Sequence, residues 1–296
     1  MDLKEFLSSR SARVDEFLEQ RLPALDYLPE RLHESMRYSV FAGGKRIRPV
    51  LMMAACRAVG GNEDHVLPFA AAMEMIHTYS LIHDDLPAMD DDDFRRGRPT
   101  NHRVFGEAMA ILAGDALLTE AFSLLSSQNL ETDIDSTTRL RIIHIISKAA
   151  GSRGMVGGQV VDMESEGKDF DLPTLEYIHT HKTGALILAS IQTGALVGQA
   201  SDGELASLSR YGEATGLAFQ IADDILDIVG DQETLGKDVG SDEGRGKATY
   251  PALFGLEEAR QRALELKDLA LNSLAHFGPQ ADPLRDIATF FVDRSF

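Results

Sequence analysis

The chain has 296 residues, of which 44% are apolar, which is enough hydrophobic material for one large domain or two ordinary ones. Its formal net charge of −18 argues against nucleic acid as a partner, because phosphate binding needs clustered lysine and arginine. The single cysteine, Cys56, lies in an apolar run and predicts a buried thiol in a reducing compartment. The N-terminus has no signal-peptide pattern and no run of eighteen apolar residues occurs, so we expect a cytoplasmic protein without a membrane span.

Helical periodicity dominates the sequence, and alternating β-branched segments are almost absent. We therefore predict an all-α protein. Glycine and proline mark most of the breaks, as at Gly60-Gly61 and Gly278-Pro279. In chain order, the predicted helices span roughly residues 2–21, 30–42, 46–59, 64–86, 103–127, 136–152, 173–180, 182–199, 203–229, 250–275 and 283–293.

The breaks between these helices give no reason to divide the chain. None is a long linker of low complexity, so we predict one domain over residues 1–296. The segments Ala108 to Leu125 and Leu186 to Val197 are apolar on more than one helix face, which predicts interior or interfacial helices.

Two similar acidic motifs each end an apolar helical run: Asp84-Asp85-Leu86-Pro87-Ala88-Met89-Asp90 and Asp223-Asp224-Ile225-Leu226-Asp227. In the second motif, Asp223 and Asp227 are four residues apart and share a helix face, with Gln220 one turn earlier. Such a face repels itself unless a cation binds it. Mg²⁺ prefers oxygen ligands and usually takes one or two carboxylates together with waters and substrate phosphates. The motifs therefore predict a site for a magnesium-bound phosphate or diphosphate.

Basic residues accompany the first motif. Arg95-Arg96 follow it closely, and Gly43-Gly44-Lys45-Arg46-Ile47-Arg48-Pro49 places three cations beside two glycines before a helix. Guanidinium groups and backbone N–H groups bind phosphate oxygens that a metal does not reach. The segment fits neither a P-loop nor a dinucleotide-binding motif, and on its own it also fits an ordinary loop.

Three other patterns have simple interpretations beside the functional one. His77 precedes Asp84 by two helical turns and fits a core histidine as well as a ligand-binding one. His179 and His181 lack the further soft ligands that a zinc site needs. The glycines of Gly154 to Gln159 fit close packing between helices.

Taken together, these segments resemble the trans-prenyltransferase (polyprenyl synthase) family, and within it the short-chain bacterial members. Seven segments occur in the family's order over nearly the whole chain: Gly43–Pro49, Tyr79–Asp85, Arg95–Gly97, Gly157–Gln159, Lys182–Gly184, Phe219–Asp227 and Gly236–Asp238. The resemblance implies an isoprenoid-synthase helical bundle around a deep central cavity, and a homodimer. It also implies head-to-tail condensation of isopentenyl diphosphate with dimethylallyl and geranyl diphosphate, which gives farnesyl diphosphate.

The resemblance assigns roles to individual residues. The implied magnesium ligands are Asp84, Asp90 and Asp223, with Asp85 and Asp227 supporting them. The residues that resemble the allylic diphosphate ligands are Arg95, Lys182 and Lys237, and together with Asp84, Asp90 and Asp223 they would stabilise the leaving group. The residues that resemble the isopentenyl diphosphate pocket, which needs no metal, are Lys45, Arg48, His77 and Arg96. Thr183 and Gln220 would line the cavity near the reacting carbons, and the segment Gly236 to Gly246 is a candidate lid.

Product length is expected to depend on the residues just before Asp84. Tyr79 and Ser80 are five and four residues before Asp84. With a rise of ~1.5 Å per residue, they lie about 6–7.5 Å from Asp84 toward the start of the helix, a distance of roughly one isoprene unit. Helical periodicity predicts that Ser80 faces the same channel as Asp84. Only the family resemblance places the Tyr79 ring in this channel, where it would form the floor. We predict farnesyl diphosphate as the product, with geranylgeranyl diphosphate as the alternative.

Two other functions fit parts of the sequence. A class I terpene cyclase also ionises a prenyl diphosphate with magnesium, but it needs no second diphosphate pocket, so Lys45, Arg48 and Arg96 argue against it. A non-enzymatic interaction protein with solvated aspartate clusters would bind neither Mg²⁺ nor a diphosphate analogue in a calorimetric titration.

Overall fold

The structure, a computed structural model, describes residues 2–128, 130, 132–229 and 248–293. Apart from one short hairpin, the regular elements within these residues are helices, which confirms the all-α prediction. The α-helices are α1 (Leu3–Arg21), α2 (Glu30–Val40), α3 (Ile47–Ala58), α4 (Leu67–Asp84), α5 (Asn101–Phe105), α6 (Glu107–Ser126), α7 (Ser136–Ala150), α8 (Met155–Ser165), α9 (Leu172–Ile178), α10 (Ala185–Val197), α11 (Asp202–Val229), α12 (Tyr250–Phe254), α13 (Leu256–Ser273) and α14 (Asp282–Asp293). Single turns of 3₁₀-helix lie at Glu63–Val66 and Pro279–Ala281, and a π-helix spans His179–Gly184. Lys237 and the candidate lid lie outside the described residues.

The chain forms two compact units. The first comprises Met1–Met53 and Asp64–Asp135, and the second comprises Ala54–Glu63 and Ser136–Phe296. The single domain and the deep central cavity inferred from the sequence stay predictions.

Helix α4 is the inner helix of the first unit, where it packs against α1, α2 and α6. Phe69 to Met73 are all fully buried, and a buried run of five consecutive residues covers every face of a helix. Pro68 fits the first turn, where its missing N–H has no helical partner. Because α4 is enclosed, its packing fixes the position of His77 and of Asp84 at its C-terminal end.

Gly106 separates the predicted helix 103–127 into α5 and α6. Its φ of 89° is open to glycine but costly for other residues, and the chain changes direction there. Helix α6 is the one described helix long and apolar enough to cross a membrane by length and composition. It packs instead against α4, with Ala110, Ala113 and Gly114 buried.

A two-stranded hairpin that the sequence did not predict follows the first acidic motif. Strand β1 (Phe94–Arg95) pairs antiparallel with β2 (Arg98–Pro99). The two loop residues, Arg96 and Gly97, have φ of 53° and 73°, the left-handed pair that a type I′ hairpin turn requires. The turn makes Arg96 the tip of the hairpin.

Helix α11 is central to the second unit, where it packs against α10, α13 and the π-helix. The Tyr211 hydroxyl donates to the Leu284 carbonyl at 2.7 Å and joins α11 to α14. Most of α10 is buried from Leu186 to Val197, which confirms the predicted interior helix.

Three further differences from the sequence prediction lie in the second unit. Helix α8 was missed, because Gly157 and Gly158 lower intrinsic helix propensity and tertiary packing outweighs that cost. The predicted helix 250–275 breaks at Gly255, whose φ is 87°. No break separates α9 from α10; the π-helix connects them.

Candidate active site

The first acidic motif forms a tight loop at the C-terminal end of α4. The backbone N–H of Asp90 donates to the Asp84 carbonyl at 2.8 Å. Met89 and Asp91 both donate to the Leu86 carbonyl, and Asp91 takes a left-handed φ of 51°, which aspartate tolerates better than most residues. The loop therefore returns Asp90 to Asp84, and both residues are partly buried.

The Asp85 carboxylate is buried and paired with Arg95. It is 3% exposed and accepts a hydrogen bond from Arg95 Nε at 2.6 Å, with Nη2 also 2.6 Å away. Burial raises the pKa of Asp85, and the hydrogen bond from Arg95 opposes that rise. Asp85 therefore anchors Arg95, whereas the loop brings Asp84 and Asp90 together.

Asp84 and Asp90 fit the ligand preference of Mg²⁺, since both offer carboxylate oxygens. Within the described residues, no group of three or more His, Cys, Asp or Glu side chains is placed to hold a metal ion. Mg²⁺ does not require such a cage, because one or two carboxylates, waters and substrate phosphates usually complete its coordination. The motif suits an ion that is held jointly by protein and substrate.

A cluster of basic residues lies in the first unit. Burial lowers the pKa of Arg48 to about 10, with the Glu74 carboxylate opposing the shift and Arg96 adding to it. The buried Nε of Arg48 has no hydrogen-bond partner among the described residues, so it can donate to an anion. Burial, together with the charges of Arg48, Arg96 and Arg95, lowers the pKa of His77 well below its usual value. His77 is therefore a neutral imidazole with one N–H to donate.

The tip of the hairpin meets the glycine-rich loop before α3. Arg96 Nη1 donates to the Gly43 carbonyl, and the Arg96 guanidinium carbon lies 2.6 Å from where a β-carbon on Gly44 would be. Gly44 also has a φ of 125°, so both its backbone and its surroundings require glycine. The loop carries the exposed Lys45, and α3 begins directly after Arg46. The four residues that the resemblance assigns to the isopentenyl diphosphate pocket therefore lie in one unit, on segments that are in contact or electrostatically coupled: Lys45, Arg48, His77 and Arg96.

The second acidic motif lies near the end of α11, in the second unit. Asp223 is exposed and Asp227 is partly buried, one turn apart on the same helix. Asp224 has a structural role, because it accepts a hydrogen bond from the backbone N–H of Tyr250 at 2.8 Å and lies 3.4 Å from His179 Nε2. Burial lowers the pKa of His179 to about 4, so this histidine is neutral.

Lys182 and Thr183 lie in the π-helix, a wide helical turn found often at functional sites. The Lys182 ammonium donates to Asp162 of α8 at 2.6 Å. A β-carbon on Gly158 would lie 2.2 Å from the Lys182 backbone nitrogen, so this glycine permits close packing of α8, as the sequence suggested. Gln220, on α11, is partly buried.

Tyr79 and Ser80 lie on α4, where the sequence placed them. Tyr79 is 7% exposed, and its ring meets the His83 ring edge to face at 5.7 Å between centroids. His83 Nε2 lies 3.1 Å from the Ile111 carbonyl, and its ring fills the space beside Gly114 of α6. The Ser80 hydroxyl donates to the His77 carbonyl at 2.9 Å.

Four buried groups that support these residues were not predicted from the sequence: Arg46, Glu74, Asp162 and His179. Glu74 carried a signal, since a lone carboxylate in the apolar run Met73 to Ile76 needs a buried partner. Asp162 lies on α8, the helix that the sequence analysis missed. Arg46 stands among three cations, and only the backbone conformation decides which of them turns inward.

Comparison with known proteins places this geometry in a family. Residues 29–275 match the polyprenyl synthetase family. Farnesyl diphosphate synthase of Geobacillus stearothermophilus is 52% identical over 262 residues, 88% of each chain. Geranylgeranyl diphosphate synthase of Cyanophora paradoxa is 45% identical over 99% of this chain and 97% of its own. The crystal structure of an FPP/GFPP synthase from Zymomonas mobilis superposes with a TM-score of 0.87 at 41% identity, covering 98% of both chains.

The chain therefore belongs to the polyprenyl synthetase family and has the helical fold of its solved members. It is a prenyltransferase, a short-chain prenyl diphosphate synthase.

Proposed function

We propose that this chain catalyses the magnesium-dependent, head-to-tail condensation of isopentenyl diphosphate with dimethylallyl and geranyl diphosphate to give farnesyl diphosphate. One observation carries the proposal: the first unit holds both a carboxylate pair and a basic cluster. The Asp85–Arg95 ion pair links them, because Asp85 follows Asp84 and Arg95 precedes Arg96 in the chain. A reaction between two diphosphate substrates needs two diphosphate-binding sites, and the carboxylate pair and the basic cluster would supply one each.

The acidic motifs would serve the allylic substrate. The proposed ligands of Mg²⁺ are Asp84, Asp90, Asp223 and Asp227, and the ion would neutralise charge on the departing diphosphate. Arg95 and Lys182 would bind the same diphosphate; Lys237 is proposed to join them. Lys182 is held by Asp162 at 2.6 Å, so its ammonium is already oriented by a fixed partner.

The basic cluster would bind isopentenyl diphosphate without a metal. Lys45, Arg48 and Arg96 supply positive charge, and guanidinium groups suit bidentate contacts to phosphate oxygens. His77 is neutral and would donate a hydrogen bond. With its diphosphate fixed, the double bond of this substrate attacks the allylic cation, and the proton then lost passes to the released diphosphate. Thr183 and Gln220 would line the cavity near the reacting carbons.

Fifteen carbons is the proposed product length. Farnesyl diphosphate synthases at 52% and 48% identity support it, and the buried Tyr79 ring is the proposed floor of the channel. The geranylgeranyl diphosphate synthase of Cyanophora paradoxa, at 45% identity, supports twenty carbons as the second candidate.

We further propose that the protein is a cytoplasmic homodimer. Helix α6 leaves Ile111 and Leu112 44% and 53% exposed on its outer face, and a second copy would cover them. Light scattering in solution tests this state directly.

Substitution of Asp84 tests the proposed chemistry. Asp84→Asn keeps the side-chain shape but removes a charged ligand from the group that stabilises the leaving diphosphate, so kcat should fall by about 10²–10³. The matched control is Asp26→Asn, an exposed carboxylate between α1 and α2 in the same unit, which should leave kcat unchanged. Near-normal turnover of Asp84→Asn at saturating Mg²⁺ would contradict the assignment.

A further inference from the structure

Glu74 is a carboxylate buried against the basic cluster. It is 1% exposed and lies on α4, three residues before His77. It accepts a hydrogen bond from Arg46 Nη1 at 2.7 Å. Arg46 also donates from Nε to Asp15 of α1 at 2.8 Å, and from Nη2 to the Val40 carbonyl at the end of α2 at 2.5 Å. A single inward-facing guanidinium therefore joins three helices.

The conformation of the loop depends on these contacts. Arg46 has a φ of 48°, in the left-handed region that a residue with a β-carbon adopts only when its surroundings hold it there. Its side chain points inward, while Lys45 is exposed and Arg48 lies in the first turn of α3. An uncompensated charge in this buried position is strongly unfavourable, so Glu74 and Arg46 hold each other in place.

Glu74 also acts on cations that it does not touch. Burial lowers the pKa of Arg48, and the Glu74 carboxylate opposes this shift. Desolvation also lowers the pKa of Arg96; Glu74 again opposes the shift, while Arg46 and Arg95 add to it. The same buried anion thus offsets the mutual repulsion of three arginines: Arg46, Arg48 and Arg96.

We propose that Glu74 is a positioning residue for isopentenyl diphosphate, acting through Arg46 on the Gly43–Arg48 loop and as the buried counter-charge that keeps Arg48 and Arg96 together. This inference rests on the proposed function of the basic cluster. Glu74 does not contact the substrate in this account. Asp15 binds the same Arg46 guanidinium but is more exposed to solvent than Glu74, so it contributes less to holding Arg46 in place.

Simple electrostatics predicts the opposite effect, which makes the inference testable. Removing a negative charge near the pocket would by itself strengthen the binding of an anionic substrate. Loss of position would weaken it, because the loop and the arginines would no longer hold a fixed geometry. The sign of the change therefore separates the two roles.

The experiment measures KM for isopentenyl diphosphate and for dimethylallyl diphosphate in the full chain with Mg²⁺. Glu74→Gln keeps shape and a hydrogen-bond acceptor but loses the charge, so KM for isopentenyl diphosphate should rise by about tenfold or more. KM for the allylic substrate should stay within about twofold. The control, Asp15→Asn, should raise KM for isopentenyl diphosphate by less than about threefold.

Each outcome decides between the roles. An unchanged or lowered KM for isopentenyl diphosphate in folded Glu74→Gln, or an equal rise for both substrates, would overturn the proposal. If circular dichroism shows that this variant does not fold, Arg46→Met/Glu74→Gln removes both charges together and should show the same selective rise; a normal KM there would overturn it. Failure of the unsubstituted chain to condense the two diphosphates would instead contradict the proposed function.

Discussion

At the scale of single residues, Gly44 fixes the position of Arg96, a proposed ligand of isopentenyl diphosphate. The Arg96 guanidinium occupies the space that a β-carbon at position 44 would need. We predict that Gly44→Ala displaces Arg96 and raises KM for isopentenyl diphosphate by about tenfold, since one charge-assisted contact contributes roughly 1.5–3 kcal/mol. Steady-state kinetics with each substrate varied in turn measures the effect.

Gly106, between α5 and α6, offers a matched control for this prediction. Its φ of 89° imposes a similar backbone cost on alanine, but no atom of the described residues lies within 4 Å of the added β-carbon. Gly106→Ala should therefore lose stability without the selective rise in KM. Equal kinetic effects of the two substitutions would show that backbone strain, and not the loss of Arg96, is responsible.

Tyr79 provides the test of product length. Its ring is buried on α4 against His83, so Tyr79→Ala opens apolar volume within the first unit. We predict a shift of the main product from fifteen carbons to twenty or more, measured by chromatography of the dephosphorylated products. Tyr79→Phe keeps the ring and should keep the product. An unchanged distribution in Tyr79→Ala would remove this residue from the channel floor while leaving the prenyltransferase activity unaffected.

At the scale of elements, the contact between α8 and the π-helix positions Lys182. A methyl group at Gly158 would meet the backbone of Lys182, which cannot yield as a flexible side chain does. We predict that Gly158→Ala destabilises the protein by about 1–3 kcal/mol and also lowers kcat, because the π-helix must move. Denaturant unfolding and steady-state assays measure the two effects.

Gly203 in the first turn of α11 is the control, since a β-carbon there meets no atom of the described part of the chain within 4 Å and its φ is not in the left-handed region. Gly203→Ala should be neutral or stabilising by up to about 1 kcal/mol. A neutral Gly158→Ala would mean that the close approach does not constrain Lys182.

The elements also show how far the sequence predicts the fold. The runs that end at Asp84 and Val229 were located correctly, because long periodic segments carry a strong signal. Helix α8 and the hairpin were missed, since their formation depends on a tertiary contact at Gly158 and on left-handed φ values at Arg96 and Gly97. Local propensity does not encode either feature.

At the scale of the whole molecule, the sequence predicted the class of enzyme better than it predicted the buried side chains that hold the proposed site residues in place. Its charged motifs, read with the family resemblance, indicated a prenyltransferase, and the family match agrees. The inward turn of Arg46 toward Glu74 and the anchoring of Lys182 by Asp162 could not be predicted, because both depend on segments distant in sequence that meet only in the folded chain.

One measurement tests the central claim most directly: incubation of the purified chain with labelled isopentenyl diphosphate and dimethylallyl diphosphate, with and without Mg²⁺, followed by chain-length analysis. We predict farnesyl diphosphate as the main product with Mg²⁺ and no elongation in the presence of a chelator. A main product of twenty carbons would contradict the farnesyl assignment, and elongation without a divalent cation, or no elongation at all, would contradict the proposed mechanism.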